Sequence, residues 1–315
     1  MMSRDNFGAD TTADEVLQGI DLTGKRVLVT GASGGLGAET ARALAARGAE
    51  VIVSARDIDK VQDVIREIGA STGARLAFDA LELGSFASVR AFAQRFLNHY
   101  DRLDLLINNA GIMACPQGKT SDGFELQFGT NHLGHFLLTG LLSPLLGQGA
   151  RVVSVSSLAH TISPVLFDDI QFERRAYDKW VAYGQSKTAN VLFAVALHER
   201  LARRGASAFS LHPGAIETDL GRYQSEEDRA RSRAARERGV VKYKSIPAGA
   251  ATSCYAATAP ELEGKGGAYL MDCAIAPVSE AARDLSSVRP YAIDPTMAEL
   301  LWKVSEELVG ERFAY

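Results

Sequence analysis

Cysteine is scarce in this chain: Cys115, Cys254 and Cys273 are odd in number, far apart in 315 residues, and form neither a C-x-x-C pair nor a zinc-type spacing. That argues against a disulfide framework or a metal site and fits a reducing compartment. Long apolar runs are missing as well. The stretch 136–146 contains Pro144 and falls short of the ~20 residues that a membrane-spanning helix needs. The first 19 residues are polar, with Arg4, Asp5, Asp10, Asp14 and Glu15 among them, and read as neither a signal peptide nor a membrane anchor. A cytoplasmic protein is expected. There is no surplus of positive charge either. A net charge of −4 and a pI near 5.9 offer no general attraction to nucleic-acid phosphates or anionic membranes, which excludes nucleic acid as an expected partner. No internal repeat or low-complexity linker divides the chain, so one domain with decorated ends is expected.

What is present is an alternation. Short apolar segments at 26–30, 50–55, 76–78, 103–107, 152–155, 208–211 and 267–271 have the length of buried strands. Between and after them, 39–47, 57–69, 85–98, 124–142, 183–203 and 295–309 carry helical spacing. Strands alternating with helices predict an α/β fold with a doubly wound parallel sheet in three layers, covered on both faces. A ligand of such a sheet lies beyond the carboxyl ends of the strands, at the switch in strand order.

Two motifs fit that place. Gly31, Ser33, Gly34, Gly35, Leu36 and Gly37 lie between the first strand and the first helix, where absent side chains let a pyrophosphate approach the backbone and the helix N-terminus. Further on, Tyr183 and Lys187 are four residues apart, on one face of a helix, so an ammonium lies beside a phenol and is expected to lower its pKa. Tyr183 is therefore a candidate acid/base.

The spacing Gly31-x-x-x-Gly35-x-Gly37, then Asn108-Asn109-Ala110-Gly111, the serine pair 156–157 and Tyr183-x-x-x-Lys187, in this order, resembles the short-chain dehydrogenase/reductase family over about 22–272. The resemblance implies a Rossmann-like domain that moves hydride between a nicotinamide and a carbonyl or alcohol. It implies roles for Ser157 in orienting the substrate oxygen, Tyr183 in proton transfer, Lys187 in supporting the phenolate and the nicotinamide ribose, and Asn131 in holding a relay water through its backbone. Asn109, Ala110 and Gly111 are implied to pack over the cofactor. Pro213, Gly214, Ile216 and Thr218 are implied to face the nicotinamide end. At the end of the second strand, an acidic residue commonly accepts the ribose diol of NAD. Here Ala55 stands at the acidic position and Arg56 follows, which favours NADP(H) through pairing with the 2'-phosphate and leaves NAD(H) possible. Arg56 pairing with Asp57 or Asp59 is the alternative. Asp79, with Ala80 beside it, resembles the family aspartate that receives the adenine amino group; a helix cap is its other reading.

Ser157 and Tyr183 are 26 residues apart, about twice the family spacing, so a loop of about 160–182 is inserted. It resembles that of retinol-dehydrogenase-like members, as do Ser156-Ser157-Leu158-Ala159-His160 and the tail after Gly266, which resembles long-tailed bacterial relatives. Ile162, Val165, Leu166, Phe167 and Trp180 either line a substrate pocket or pack that insertion. The arginine-rich 220–245 reads as a solvated flap on the substrate side. His132 and His135, three apart, lack further ligands at a convincing spacing and read as core histidines, with no metal expected. The expected organisation is a polar extension 1–20, a catalytic domain 21–275 and a C-terminal extension 276–315. The expected function is NADP(H)-dependent interconversion of an apolar alcohol and its ketone or aldehyde, in a homodimer or homotetramer. The alternative is a cofactor-binding regulatory or structural protein without turnover.

Overall fold

The computed structural model describes residues 7–281 and 284–315; Arg4 and Asp5 of the N-terminal stretch lie outside the described residues. Eight strands form one sheet: β1 (Arg26–Thr30), β2 (Glu50–Ala55), β3 (Ala77–Ala80), β4 (Leu105–Asn108), β5 (Arg151–Val155), β6 (Ser207–His212), β7 (Tyr269–Met271) and β8 (Ala274–Ile275). Their spatial order is β3-β2-β1-β4-β5-β6-β7-β8. The first seven are mutually parallel and β8 is an antiparallel edge. This is the Rossmann-like three-layer arrangement, with its switch in strand order between β1 and β4.

Alternation along the strands divides the core. Val27 and Val29 face one layer and Leu28 the other, and the same split recurs in β2 and β4. One layer holds α1 (Ala13–Val16), α2 (Gly35–Ala45), α3 (Ile58–Thr72) and α9 (Ile246–Thr258). The other holds α4 (Phe86–His99), α6 (Gly134–Leu142), α7 (Lys179–Leu201) and α10 (Pro295–Val309). Between α4 and α6 lies the one-turn α5 (Leu126–Phe128), and α8 (Glu226–Glu237) stands in the flap.

Several elements differ from the sequence pattern. The helix expected over 124–142 is interrupted by a π-helical turn, Gly129–Leu133. The helix expected from 183 starts at Lys179, because Asp178 caps it by accepting from the N–H groups of Trp180 and Val181. The third strand extends to Ala80. α9 shows no helical periodicity in sequence, since its small residues are buried nearly all round. At the ends of the chain, Ala13, Val16 and Leu17 are buried with α2 and α9, and α10 packs on α7.

Candidate active site

The site grows from the crowding at the switch point. Gly31 has φ +68°, and a Cβ there would lie 2.7 Å from Ala110 Cα. A Cβ on Gly37 would run into the Gly31 carbonyl and the Asn109 amide. Asn109 ties the two loops together: its amide donates to the Thr30 carbonyl at 2.8 Å, and its backbone N–H to Thr30 Oγ1 at 2.9 Å. The result is a bare backbone cradle opening into a cleft of about 1450 Å³. Pockets for drug-sized ligands run to about 1,000 Å³, so this one has room for a dinucleotide and a second molecule. Ser33, Gly34, Gly35 and Leu36 line it from one side, Ala110 and Gly111 from another, and Pro213, Gly214, Ile216 and Thr218 from a third.

Ser157, Tyr183 and Lys187 converge on the same cleft. Tyr183 is buried, and burial pushes its phenol up to about 12 against a hydrogen bond with Ser157 that lowers it. Lys187 Nζ lies 5.7 Å from the Tyr183 ring centroid and donates to the Val155 carbonyl at 2.9 Å. Burial brings the ammonium down to about 8. The expected lowering of the phenol by Lys187 is not found: burial governs both groups, and the ammonium is turned to a backbone carbonyl at the end of β5. Asn131 stands behind the cleft, fully buried in the π-turn. Its side chain accepts from Ile112 N–H at 2.9 Å and donates to the Ile112 carbonyl at 3.0 Å and Ser186 Oγ at 2.9 Å. Its backbone carbonyl accepts from His135 Nδ1 at 3.0 Å. A π-turn at this point re-aims one residue of an otherwise regular helix.

At the other end of the cleft, Arg56 is exposed and pairs with Glu82 at 3.3 Å rather than with Asp57, which caps α3, or Asp59. Asp79 and Ala80 do not line the cleft. The Asp79 carboxylate is held by Arg95 through Nε and Nη2 at 2.8–3.1 Å, because the β3 pleat turns it toward α4. Leu81, Glu82 and Leu83 occupy the rim instead, with Lys60 near Arg56. Sequence reasoning missed Glu82 and Lys60. The signals were an acid between two leucines just past the strand, and a lysine one helical turn after Arg56.

Of the insertion 160–182, none of Ile162, Val165, Leu166, Phe167 or Trp180 lines the cleft. Val165 joins the core and Phe167 packs against it, while Gln185 on α7 ties the loop down through Ile170 and Leu166. The flap does line it, through segments before and after α8 and through Arg229, Ser232, Arg233 and Arg236 of α8 itself. His160 is a third residue to which sequence reasoning gave no role. Its Nε2 accepts from Arg289 N–H at 3.2 Å, so Nδ1 donates to the Ser157 carbonyl at 2.8 Å, bracing the serine turn against the C-terminal segment. His132 meets Ser305 Oγ at 2.7 Å and His135 meets Thr30 Oγ1 at 2.9 Å, both inside the core.

A doubly wound sheet with a bare glycine cradle at its switch point, faced by a phenol, an ammonium and a hydroxyl, is the architecture of a nicotinamide-dinucleotide oxidoreductase. Residues 25–229 match the sequence profile of the short chain dehydrogenase family, and the chain belongs to it. It is 42% identical over 297 residues to mouse retinol dehydrogenase 12, covering 92% of this chain and 88% of that protein. It is 41% identical over 314 residues to the short-chain dehydrogenase/reductase prx1 of Penicillium roqueforti, covering 98% and 88%. Among solved structures, an uncharacterised protein of Mycobacterium paratuberculosis superposes with a TM-score of 0.73 at 35% identity, covering 97% of this chain and 100% of that one. A Burkholderia cenocepacia short chain dehydrogenase, solved in complex with NADP, gives a TM-score of 0.64 at 28% identity, covering 79% and 96%.

Proposed function

We propose that the protein is an NADP(H)-dependent oxidoreductase that interconverts an apolar alcohol and its ketone or aldehyde. The observation that carries this reading is the convergence of Ser157, Tyr183 and Lys187 on the cleft whose opposite wall is the glycine cradle. The cradle fits a dinucleotide: Gly31 and Gly37 let its two loops pack against each other, and the bare Gly34 at the N-terminus of α2 faces open space in the cleft, where a pyrophosphate can meet the backbone. Arg56 and Lys60 at the far rim fit a 2'-phosphate, and the NADP held by the Burkholderia relative supports that choice; NAD(H) as a second cofactor stays compatible with the exposed position of Arg56. Asp79 and Ala80 at the end of β3 serve the adenine side by family resemblance, with Leu81, Glu82 and Leu83 of the adjoining rim beside them.

When bound, the nicotinamide supplies or accepts the hydride. Tyr183 gives its phenolic proton to the carbonyl oxygen as that oxygen gains charge, and takes it back in the oxidative direction. Ser157 donates a hydrogen bond that orients the same oxygen. Lys187 offsets the phenolate left on Tyr183 and holds the ribose. By family resemblance, the backbone of Asn131 helps hold a relay water beside Lys187. Asn109, Ala110, Gly111, Pro213, Gly214, Ile216 and Thr218 shape the cofactor walls.

The proposed division into an extension 1–20, a catalytic domain 21–275 and a C-terminal extension 276–315 puts every one of these residues in the middle part. Likeness to mammalian retinol dehydrogenases supports placement near that branch, and the equally similar fungal protein leaves the bacterial long-tailed grouping resting on the tail alone. No helix among the described residues is long and apolar enough to cross a membrane. A cytoplasmic homodimer or homotetramer is proposed on the family resemblance. Cofactor-dependent absorbance change across a panel of apolar aldehydes, ketones and alcohols tests the function. Nucleotide binding without turnover on any of them would favour a binding protein instead.

A further inference from the structure

α8 is an unusual covering for a cleft. Of its twelve residues only Asp228 is buried; Ser232 and Ala235 are half-buried, and the rest is exposed arginine, glutamate and alanine, with Arg229, Arg233 and Arg236 on the cleft side. A helix polar all round has no apolar stripe to hold it in place. Its exposed pairs, Arg231 with Glu227 and Arg233 with Glu226, lie within the flap and fasten it to nothing else. Surface pairs of this kind contribute little.

Asp228 supplies the attachment. Oδ1 accepts from Trp180 Nε1 at 2.9 Å, and Oδ2 accepts from Lys179 Nζ. Oδ2 also accepts from Ser225 N–H at 2.9 Å and Ser225 Oγ at 2.8 Å, closing the capping box that starts α8. Burial pushes this carboxyl up, but the bonds from Lys179, Trp180 and Ser225 outweigh it and leave the group well below the ordinary carboxylate range. Lys179 and Trp180 form the first turn of α7, and the Trp180 ring stands edge-on to the Tyr183 ring at 6.3 Å. One carboxylate thus starts the flap helix and joins it to the helix that carries the candidate acid. The return of the flap is fixed separately, by buried Lys244 pairing with Asp272 at 2.5 Å and by Lys244 N–H donating to the Ala215 carbonyl at 2.9 Å.

We propose that Asp228 is the positioning residue that latches the flap across the cleft, fastening it to Lys179 and Trp180 one turn before Tyr183 and so controlling nucleotide release. The release part rests on the functional reading above; the latch itself does not.

Two measurements on the full chain separate them. Hydrogen exchange of the ligand-free protein should show residues 226–237 protected in wild type, and Asp228→Ala should raise their exchange at least about tenfold, the worth of one charge-assisted hydrogen bond, with 179–201 unaffected. Stopped-flow release of NADPH should quicken by a similar factor while the melting temperature holds. Asp228→Asn, which keeps an acceptor for Trp180 but not the charge facing Lys179, should fall between; it also serves if the alanine variant does not fold. Glu227→Gln, at an exposed pair outside the site, should match wild type in both. An unprotected 226–237 in wild type, or protection that survives both Asp228 variants, overturns the latch. Raised exchange with unchanged NADPH release overturns control of release. A wild type that binds no NADPH overturns the functional reading and the release clause with it, and leaves the exchange result to decide the latch.

Discussion

A phenol raised to about 12 keeps its proton at neutral pH, so Tyr183 enters the cycle as an acid, ready for carbonyl reduction. Tyr183→Phe removes only the hydroxyl. Turnover should fall about 10²- to 10⁴-fold, the usual range for a general acid, with NADPH binding and melting unchanged; a loss below tenfold with chemistry rate-limiting would remove Tyr183 from the mechanism. Lys187 makes a separate claim. Its value of about 8 means that the charge needed to hold a ribose and support a phenolate is lost as pH rises from 7 to 9. A bound anion favours the ammonium, so NADPH affinity should be strongest below pH 8 and weaken above it, and Lys187→Met should flatten that slope. Fluorescence titration at a series of pH values checks it, and a flat wild-type profile would count against ribose binding by Lys187. Arg56→Ala should weaken NADP(H) far more than NAD(H), and equal changes in the two Kd values would reject its assignment. The residues that the fold brings together on the cleft are those whose pattern is local: a glycine turn and a tyrosine with its lysine are contiguous patterns. The orientation of Asp79 depends on the pleat and could not be read from a contiguous pattern. The strand runs past the apolar stretch 76–78, and its alternation turns Asp79 to Arg95, leaving Glu82 at the rim.

Elements with one wet face announced themselves, and elements buried on every side did not. α3 and α4 carry clear stripes, whereas α9 is a run of alanine, serine, threonine and glycine pressed between α1, α2 and the sheet, with no polar face to set a period. The π-turn that places Asn131 has no periodic signature of its own in Gly129–Leu133; the family resemblance pointed to an asparagine that interrupts a helix, and the bonds to Ile112 and Ser186 show how it is held there. The terminal helix was legible at both ends, from Asp294 as cap to Gly310 at φ +68°. α10 covers α6 and α7 with Trp302, which stacks on Phe193 at 6.1 Å and meets Phe136 edge-on at 4.9 Å under the guanidinium of Arg200. Trp302→Ala should therefore destabilise the fold by about 3–5 kcal/mol, the usual cost of emptying a large aromatic site. Urea unfolding measures it. A loss under about 1 kcal/mol, within the range of ordinary surface substitutions, would mean that α10 is an appendage and not a wall of the core.

Over the whole molecule, acid should act earlier than the carboxylates alone would allow. His132 is buried and His212 half-buried at the cleft, both held down to about 3, and the buried His135 and His160 to about 4, in each case chiefly by loss of solvent. An unfolded histidine titrates near 6.5. Each of the four thus binds a proton when unfolded but not when folded, between pH 6.5 and its own folded value. The stability that this neutrality contributes is complete above 6.5 and is lost as pH falls toward 4. One pH unit below the unfolded value, each histidine has cost about 1 kcal/mol, or roughly 4 kcal/mol together. Glu125 works the other way, since burial raises its carboxyl and acid relieves it, but one group does not offset four. Asp228 and Asp284, both lowered, begin to matter only nearer the unfolded carboxylate value of 3.8. The urea midpoint should therefore drop steeply between pH 7 and 5.5, before any carboxylate that the fold depends on has taken up a proton. His132→Phe, set among Phe128, Phe136 and Phe193, keeps the ring packing and removes one titrating group, so it should make that drop shallower. A midpoint constant from pH 7 to 5.5 would show that these rings take up protons in the folded protein as readily as in the unfolded chain, and the acid sensitivity of the fold would then lie with its carboxylates.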